Sequence, residues 1–328
     1  MRRTGWILAA AVLVAAGLAS GPASAQEKYP SKPIKILVPY APGGATDYAA
    51  RLLSEKAKIP LGASIVIENK PGAGGIISLE ELAHAKPDGY TLMIGNVTTN
   101  CITPVLFAKK LTFDFDKDIV PVARLLVTPN VFLANAAFPA KTFKEFIDYT
   151  KKNPGKVRYA SSGIGSFPHF DTALLAKRAG LDMIHIPYKG GAGEMVKGIV
   201  NGEVNVTLLS TPITIPQVKA GTVRVLSNVT TRLEGFKEYP TFAELGYPDV
   251  GTGNWSALFA PNGTPKEIID MLYKAFTDAV KDPEVKAAAA KTGTDIFPAE
   301  SIEATQAWLK TEMAKWRKTV QEVPVELN

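Results

Sequence analysis

The stretch "VPYAPGGATDYAARLL", Val38 to Leu53, joins an apolar run to a helical pattern across Pro42, Gly43 and Gly44. Strand, glycine loop and helix start in succession present free backbone N–H groups at the positive end of a helix, a geometry that holds carboxylates and phosphates. Gly43 and Gly44 permit close backbone approach and positive φ. Thr46 or Asp47 stands where a side chain caps a helix. A plain strand-to-helix turn has the same spacing, so the loop alone leaves both readings open. No Lys completes a G-x-x-x-x-G-K-[ST] pattern, and "GAGGII" (72–77) has Ile77 where a dinucleotide fingerprint needs its last glycine.

Outward from this loop, β-rich apolar runs alternate with helical patterns. "IKILVP" (34–39) predicts a strand, with a helix to about Lys58, a second strand over 64–68, the loop "NKPGAGG", a helix to about Ala85 and a third strand over 91–95. Such alternation predicts a parallel sheet covered by helices. "IVPVARLLVTPNVFLAN" (119–135) is long and extended with two prolines inside, and reads as a crossing into a second lobe. Alternation then resumes: a helix over Phe143 to Lys152, "VRYA" into "SSGIGSFPHF", "MIHIPY" into "KGGAG", then "VNVTLLS" and "VRVLSNV". A loose stretch returns the chain to "WSALFAP", after which Thr264 as N-cap and Pro265 at the first helical position open a helix. Helices from Pro283 and near 300–320 end the chain. The expected architecture is α/β with two lobes: 26–125 and 252–328 form the first, 126–251 the second. The glycine loops end strands, and loops of that kind gather where open α/β sheets bind ligands.

Arg2 and Arg3, an apolar run from Trp6 to about Leu18 and the small residues Ala23-Ser24-Ala25 predict a signal peptide over residues 1–25 and a periplasmic mature protein. Lys and Arg number 37 against 31 Asp and Glu, a net charge of +6 that falls to +4 without the leader. There is no long basic block, which gives a nucleic-acid partner little support. A mild positive field helps collect small anions. The one cysteine, Cys101, has no partner for an internal disulfide and reads as a small core residue.

"SSGIGSFPHFD" (161–171) sets serines, a histidine and an aspartate close together. A catalytic triad is assembled from separated segments, and no G-x-S-x-G elbow is present. Hydroxyls before a helix start fit better as donors to an anion or as simple caps. His84, His169 and His185 lack metal-ligand spacing, so neither metal nor cofactor is expected. Asn96 and Thr98 follow the third strand, and Tyr188 and Lys189 close a strand before a helix; each also reads as a turn or surface residue. Trp255, at the second crossing, is expected to pack at the hinge or in the core rather than to stack on a ligand.

The stretches "YPSKPIKILVPYAPGGATDYAARLL", "VIENKPGAGG", "AKPDGYTL", "PAKTFKEFIDYTKKNPGKVRYASSGIGS", "HIPYKGG" and "APNGTPKEII" occur in one order along nearly the whole mature chain. In them the chain resembles the Bug family, the extracytoplasmic solute-binding receptors of tripartite tricarboxylate transporters. The resemblance implies a type II periplasmic-binding-protein fold, two α/β lobes with a ligand cleft between them, and binding without chemistry. It implies a small organic carboxylate (a dicarboxylate, a tricarboxylate or an aromatic acid), held by backbone amides, hydroxyls and waters, and delivery to the membrane subunits of a transporter by a monomer. Residue by residue, the ligand-binding set it implies is Tyr40, Pro42, Gly43, Gly44, Thr46, Asp47, Asn96, Thr98, Ser161, Ser162, Gly163, Ser166, His169, Tyr188 and Lys189. The chain departs from the family at Ile76-Ile77-Ser78, at Val97 to Cys101 and at Asn205, Leu209 and Ser210, less polar positions that favour an aromatic or longer-chain acid over an amino acid. Two other roles compete: an accessory protein presenting its closed form to a receptor kinase, and an exported hydrolase using Ser162 or Ser166.

Overall fold

The computed structural model describes residues 28–188, 191–323 and 325. The signal-peptide reading and Lys189 therefore lie outside the described residues. The described residues from Lys32 onward form one compact unit, which holds everything below.

Two mixed sheets organise this unit. The first has six strands in the order β11-β4-β10-β3-β1-β2. They are β1 (Ile34–Val38), β2 (Ile65–Asn69), β3 (Thr91–Asn96), β4 (Ile119–Thr128), β10 (Asn254–Pro261) and β11 (Asp295–Ile296). The second has five in the order β7-β6-β8-β5-β9: β5 (Asn130–Asn135), β6 (Val157–Ser161), β7 (Met183–Pro187), β8 (Val206–Ser210) and β9 (Val223–Asn228). Central strands such as β1 and β10 are buried on both faces, as apolar runs under helical layers demand.

The fully parallel sheet expected from the alternation is not what forms. β1 pairs in parallel with β2 and β3, and β6 with β7 and β8, but β10 runs antiparallel to β3 and β4, and β5 antiparallel to β8 and β9. The reason is the crossing. β4 passes into β5 through Pro129 alone, and β10 begins where the chain returns from the second sheet. A strand entering from the other sheet starts at the carboxyl ends of the parallel strands and must run back along them. Thus Asn130 opens β5 opposite Ser210, which closes β8, and Asn254 opens β10 opposite Thr128, which closes β4.

The helix Ala45–Leu61 follows β1. Its N-cap is Gly44, with no side-chain cap, so Thr46 and Asp47 lie inside the first turn instead of capping it. It stops at Gly62, whose φ of 64° forms a left-handed C-cap that a Cβ would strain. The helix after "APNG" begins at Lys266 with Pro265 as N-cap, one residue later than expected; Thr264 turns its hydroxyl to the carbonyl of Pro261 instead. The core between the layers includes Trp255, which is buried, donates Nε1 to Glu312 and packs edge-on to Trp308 at 4.8 Å. Cys101 is buried in it, and burial pushes its thiol pKa well up, as an unreactive core thiol requires.

Candidate functional site

A cavity of about 120 Å³ opens at the carboxyl ends of β1, β3 and β8. Four helix N-termini reach it. Gly44, Ala45 and Thr46 come from the helix Ala45–Leu61; Phe167 and Pro168 from the helix Phe167–Ala179; Gly191, Ala192 and Gly193 from the helix Ala192–Val200; and Ser210 is the N-cap of the helix Thr211–Lys219. The first N–H groups of a helix have no intrahelical acceptor, and four positive helix ends meeting at one cavity favour an anion.

Of the residues expected from sequence, Tyr40, Pro42, Gly44, Thr46, Asn96, Thr98 and Ser162 line this cavity. Three of them form a chain of hydrogen bonds. Tyr40 donates its hydroxyl to Asn96 Oδ1 at 2.9 Å, and Asn96 donates Nδ2 to Thr46 Oγ1 at 3.1 Å. Thr46 is left with its hydroxyl hydrogen for a ligand. Burial pushes the Tyr40 phenol pKa up, so the chain stays neutral. Thr98 Oγ1 accepts the backbone N–H of Phe167 at 3.1 Å, tying the end of β3 to a helix of the second sheet.

Asp47 sits behind the wall. Its Oδ2 accepts from Gly43 N at 2.9 Å, its Oδ1 from Asn69 Nδ2 at 2.9 Å, and Arg51 Nε reaches both oxygens at 3.1 Å. Burial alone would raise its pKa; the bonds from Arg51, Gly43 and Asn69 outweigh it and hold the carboxyl below its ordinary value. Asn69 also donates to the carbonyl of Tyr40 at 3.0 Å. Gly43, at φ 92°, turns away from the cavity and is fixed by Asp47. Asp47 thus shapes the loop that Pro42 and Gly44 present.

The second loop divides in the same way. Ser162 faces the cavity, whereas Ser161, Gly163, Ser166 and His169 support it from behind. Ser161 and Ser166 both donate to the carbonyl of Gly163, at 2.9 and 2.7 Å. His169 accepts the N–H of Gly165 at Nδ1, 3.2 Å, and stacks on His185 with ring centroids 3.8 Å apart. Burial and His185 push the His169 pKa down to about 3, and burial pushes His185 down to about 4, so both rings are neutral at pH 7. His185 Nε2 lies 2.6 Å from Ser161 Oγ. The same hydroxyl lies within bonding reach of the Gly163 carbonyl and N–H, so Ser161 belongs to a local cluster that supports the loop and does not line the cavity. Tyr188 bonds Glu203 at 3.0 Å and lies off the cavity, where its backbone closes the turn into Gly191.

Sequence reasoning missed the rest of the lining: Ala41, Ala45, Asn130, Phe167, Pro168, Gly191, Ala192, Gly193, Met195, Leu208, Leu209, Ser210 and Asn254. In sequence, Leu209 and Ser210 stand out only as departures from the family pattern. A polar Asn opening an apolar run just after each crossing, in "TPNVFLAN" and "TGNWSALF", was the available signal for two of the others.

A family model described as "Tripartite tricarboxylate transporter family receptor" matches residues 49–325. The chain belongs to this receptor family. Protein BugT of Bordetella pertussis is 31% identical over 318 residues, 96% of each chain. Among solved structures, one described as a periplasmic transporter is 38% identical with a TM-score of 0.85, covering 92% of this chain and all of its own. MatC of Rhodopseudomonas palustris, with bound malate, is 31% identical with a TM-score of 0.82 over 89% of this chain and 100% of its own. A further R. palustris protein, solved with adipate, is 27% identical with a TM-score of 0.84 over 90% and 99%. Solved relatives of the family include one described as periplasmic binding protein BugD and one described as a TctC solute binding protein, and the chain shares their fold.

Proposed function

We propose that this receptor captures a small organic carboxylate in the periplasm and delivers it, without chemical change, to the membrane subunits of a tripartite transporter. The observation that carries the reading is the meeting of four helix N-termini at one cavity whose hydroxyls and amides are already ordered. Tyr40, Pro42, Gly44, Thr46, Asn96, Thr98 and Ser162 are proposed to touch the ligand. Gly43, Asp47, Ser161, Gly163, Ser166 and His169 are proposed to hold its loops in shape, with Tyr188 and Lys189 at the entry to the third loop. The lobes are taken as 26–125 with 252–328, and 126–251, closing on the ligand as a monomer. Malate and adipate in the related structures support a carboxylate as the ligand class. A hydrolase using Ser162 or Ser166 has less support: Ser166 donates its hydroxyl to the Gly163 carbonyl, and among the described residues the histidine bonded to a hydroxyl of this loop, His185, lies on Ser161, away from the cavity lining.

The test is a thermal-shift screen of the mature chain, unfolded and refolded to strip bound ligand, against mono-, di- and tricarboxylates and aromatic acids. A ligand at 100 times its Kd adds about 2.7 kcal/mol, a visible rise in Tm. A stabilising acid recovered unchanged is the expected result. Failure of every acid to stabilise, or conversion of the acid to a product, overturns the proposal.

A further inference from the structure

We infer that Ser210 is a specificity-determining ligand contact whose hydroxyl donates to a second carboxylate, at the end of the ligand away from the Pro42–Gly44 loop. The inference rests on the carboxylate reading above and selects the dicarboxylates within it.

Ser210 closes β8, lines the cavity and is 6% exposed. It is the N-cap of the helix Thr211–Lys219, a position where a serine ordinarily turns its oxygen to the N–H of the second or third helical residue. Here it makes no such bond. The second residue is Pro212, which has no N–H to offer, and the N–H of Thr211 goes to the carbonyl of Pro129 at 3.1 Å. The Ser210 hydroxyl has no hydrogen-bond partner among the described residues, and it is not sealed in as the Asn130 and Asn254 amide oxygens are. A hydroxyl that is unspent and reachable in a cavity wall is free to donate to what the cavity holds. Its place is fixed from two sides. The backbone of Ser210 pairs with Asn130 in the sheet, and the next residue, Thr211, donates Oγ1 to the carbonyl of Thr292.

The surroundings say what kind of group it meets. Three of the four helix starts at the cavity follow strands of the second sheet, with Phe167, Ala192 and Thr211 as their first residues. Positive helix ends favour an anion. Among the described residues no Asp or Glu lines the cavity to receive a cation, and no Lys or Arg lines it to pair with an anion directly. An anionic group on this side is therefore held by helix N–H groups and hydroxyls, and Ser162 and Ser210 supply the hydroxyls. The Pro42–Gly44 loop meets the cavity from the one helix start that follows the first sheet. A carboxylate on each side needs a ligand that carries two.

Calorimetric titration of the refolded chain with matched acids tests this. The pairs are succinate with butanoate, adipate with hexanoate, and terephthalate with benzoate, each differing by one carboxylate. In the pair whose skeleton fits, the diacid is expected to bind at least about tenfold tighter, since the bond to a charged group is lost in the monoacid. Ser210→Ala is expected to weaken the diacid by about tenfold or more and the monoacid by less than about twofold. Because the hydroxyl bonds nothing in the protein, ligand-free Ser210→Ala is expected to keep the wild-type Tm; Ser210→Gly takes its place should it fail to fold. Ser210→Asp, which sets a fixed negative charge at the same point, is expected to abolish the preference for the diacid. Equal or tighter binding of the monoacid in every pair overturns the inference and leaves the carboxylate reading standing. A preference unchanged in the folded variant, or equal losses for both acids, overturns it as well. Binding of none of the acids overturns both.

Discussion

The Thr98 hydroxyl accepts the backbone N–H of Phe167 at 3.1 Å, and both residues line the same cavity from different sheets. A ligand seated there lies beside a bond that exists only while the two sheets are held together. Thr98→Val keeps the shape and removes the acceptor. The expected loss is about 1 kcal/mol, the worth of one neutral hydrogen bond, or roughly fivefold in Kd. Titration of wild type and variant with the same acid measures it, and an unchanged Kd would show the bond to be idle.

Asp47 touches no part of the cavity, yet it ties Gly43, Asn69 and Arg51 together behind the first loop. Asp47→Ala leaves the N–H of Gly43 without its acceptor and takes one of two acceptors from the amide of Asn69. Bonds to a charged group are worth about 1.5–3 kcal/mol each, so both Tm and affinity are expected to fall, affinity by tenfold or more. Asp47→Asn, which keeps an acceptor but loses the charge beside Arg51, is expected to fall in between. Equal affinity in wild type and Asp47→Ala would detach the loop from the site.

Asp171 is buried, accepts from Thr252 Oγ1 at 2.8 Å with one oxygen and, among the described residues, has no partner for the other. Burial raises its pKa to about 7. The native state therefore holds a proton that the unfolded chain has already released above its ordinary value near 4, so this group's contribution is complete at acid pH and is lost as pH rises through 7. Asp171→Asn copies the neutral acid. It is expected to change Tm little at pH 4, to raise it increasingly between pH 4 and 7, and to keep that gain at pH 8. Parallel Tm–pH curves for the two proteins would contradict the burial argument.

The His169–His185 stack works in the opposite direction. Both rings are kept neutral in the native state, with pKa values pushed down to about 3 and 4, while the unfolded histidines take up protons near 6.5. Their contribution is present above pH 6.5 and is lost as pH falls toward 4. His185→Gln is expected to flatten the acid limb of the stability curve at some cost to Tm at pH 7, because the stack at 3.8 Å is lost. Denaturant titrations at pH 5 and pH 7.5 read both effects.

The loops of this receptor are legible in its sequence because each one is local. Pro42-Gly43-Gly44, the serines around Gly163 and the turn before Gly191 announce themselves within a few residues, and strand, loop and helix follow. Less legible is anything decided between distant segments. Which side chain of a loop faces the cavity depends on partners far away: Asn69 turns Asp47 inward, and His185 holds His169 behind Ser162. The antiparallel strands follow from the two crossings, not from any strand's own composition. Asn130 and Asn254 look like ordinary strand openers until the sheets bring both to one cavity.

Gly165 has a φ of 80°, and a Cβ placed on it would lie 2.4 Å from Leu106 Cδ2. No side chain fits there without moving Leu106 or the loop. The seam between the second loop and the segment after β3 is therefore as thin as a polypeptide allows, backbone against side chain. A seam of this kind works like a gasket: an added methyl must push the end of Leu106 aside and strains a left-handed backbone, so the fit of the seam changes while the groups that meet the ligand stay the same. Variation at this one position would loosen the grip on all ligands alike.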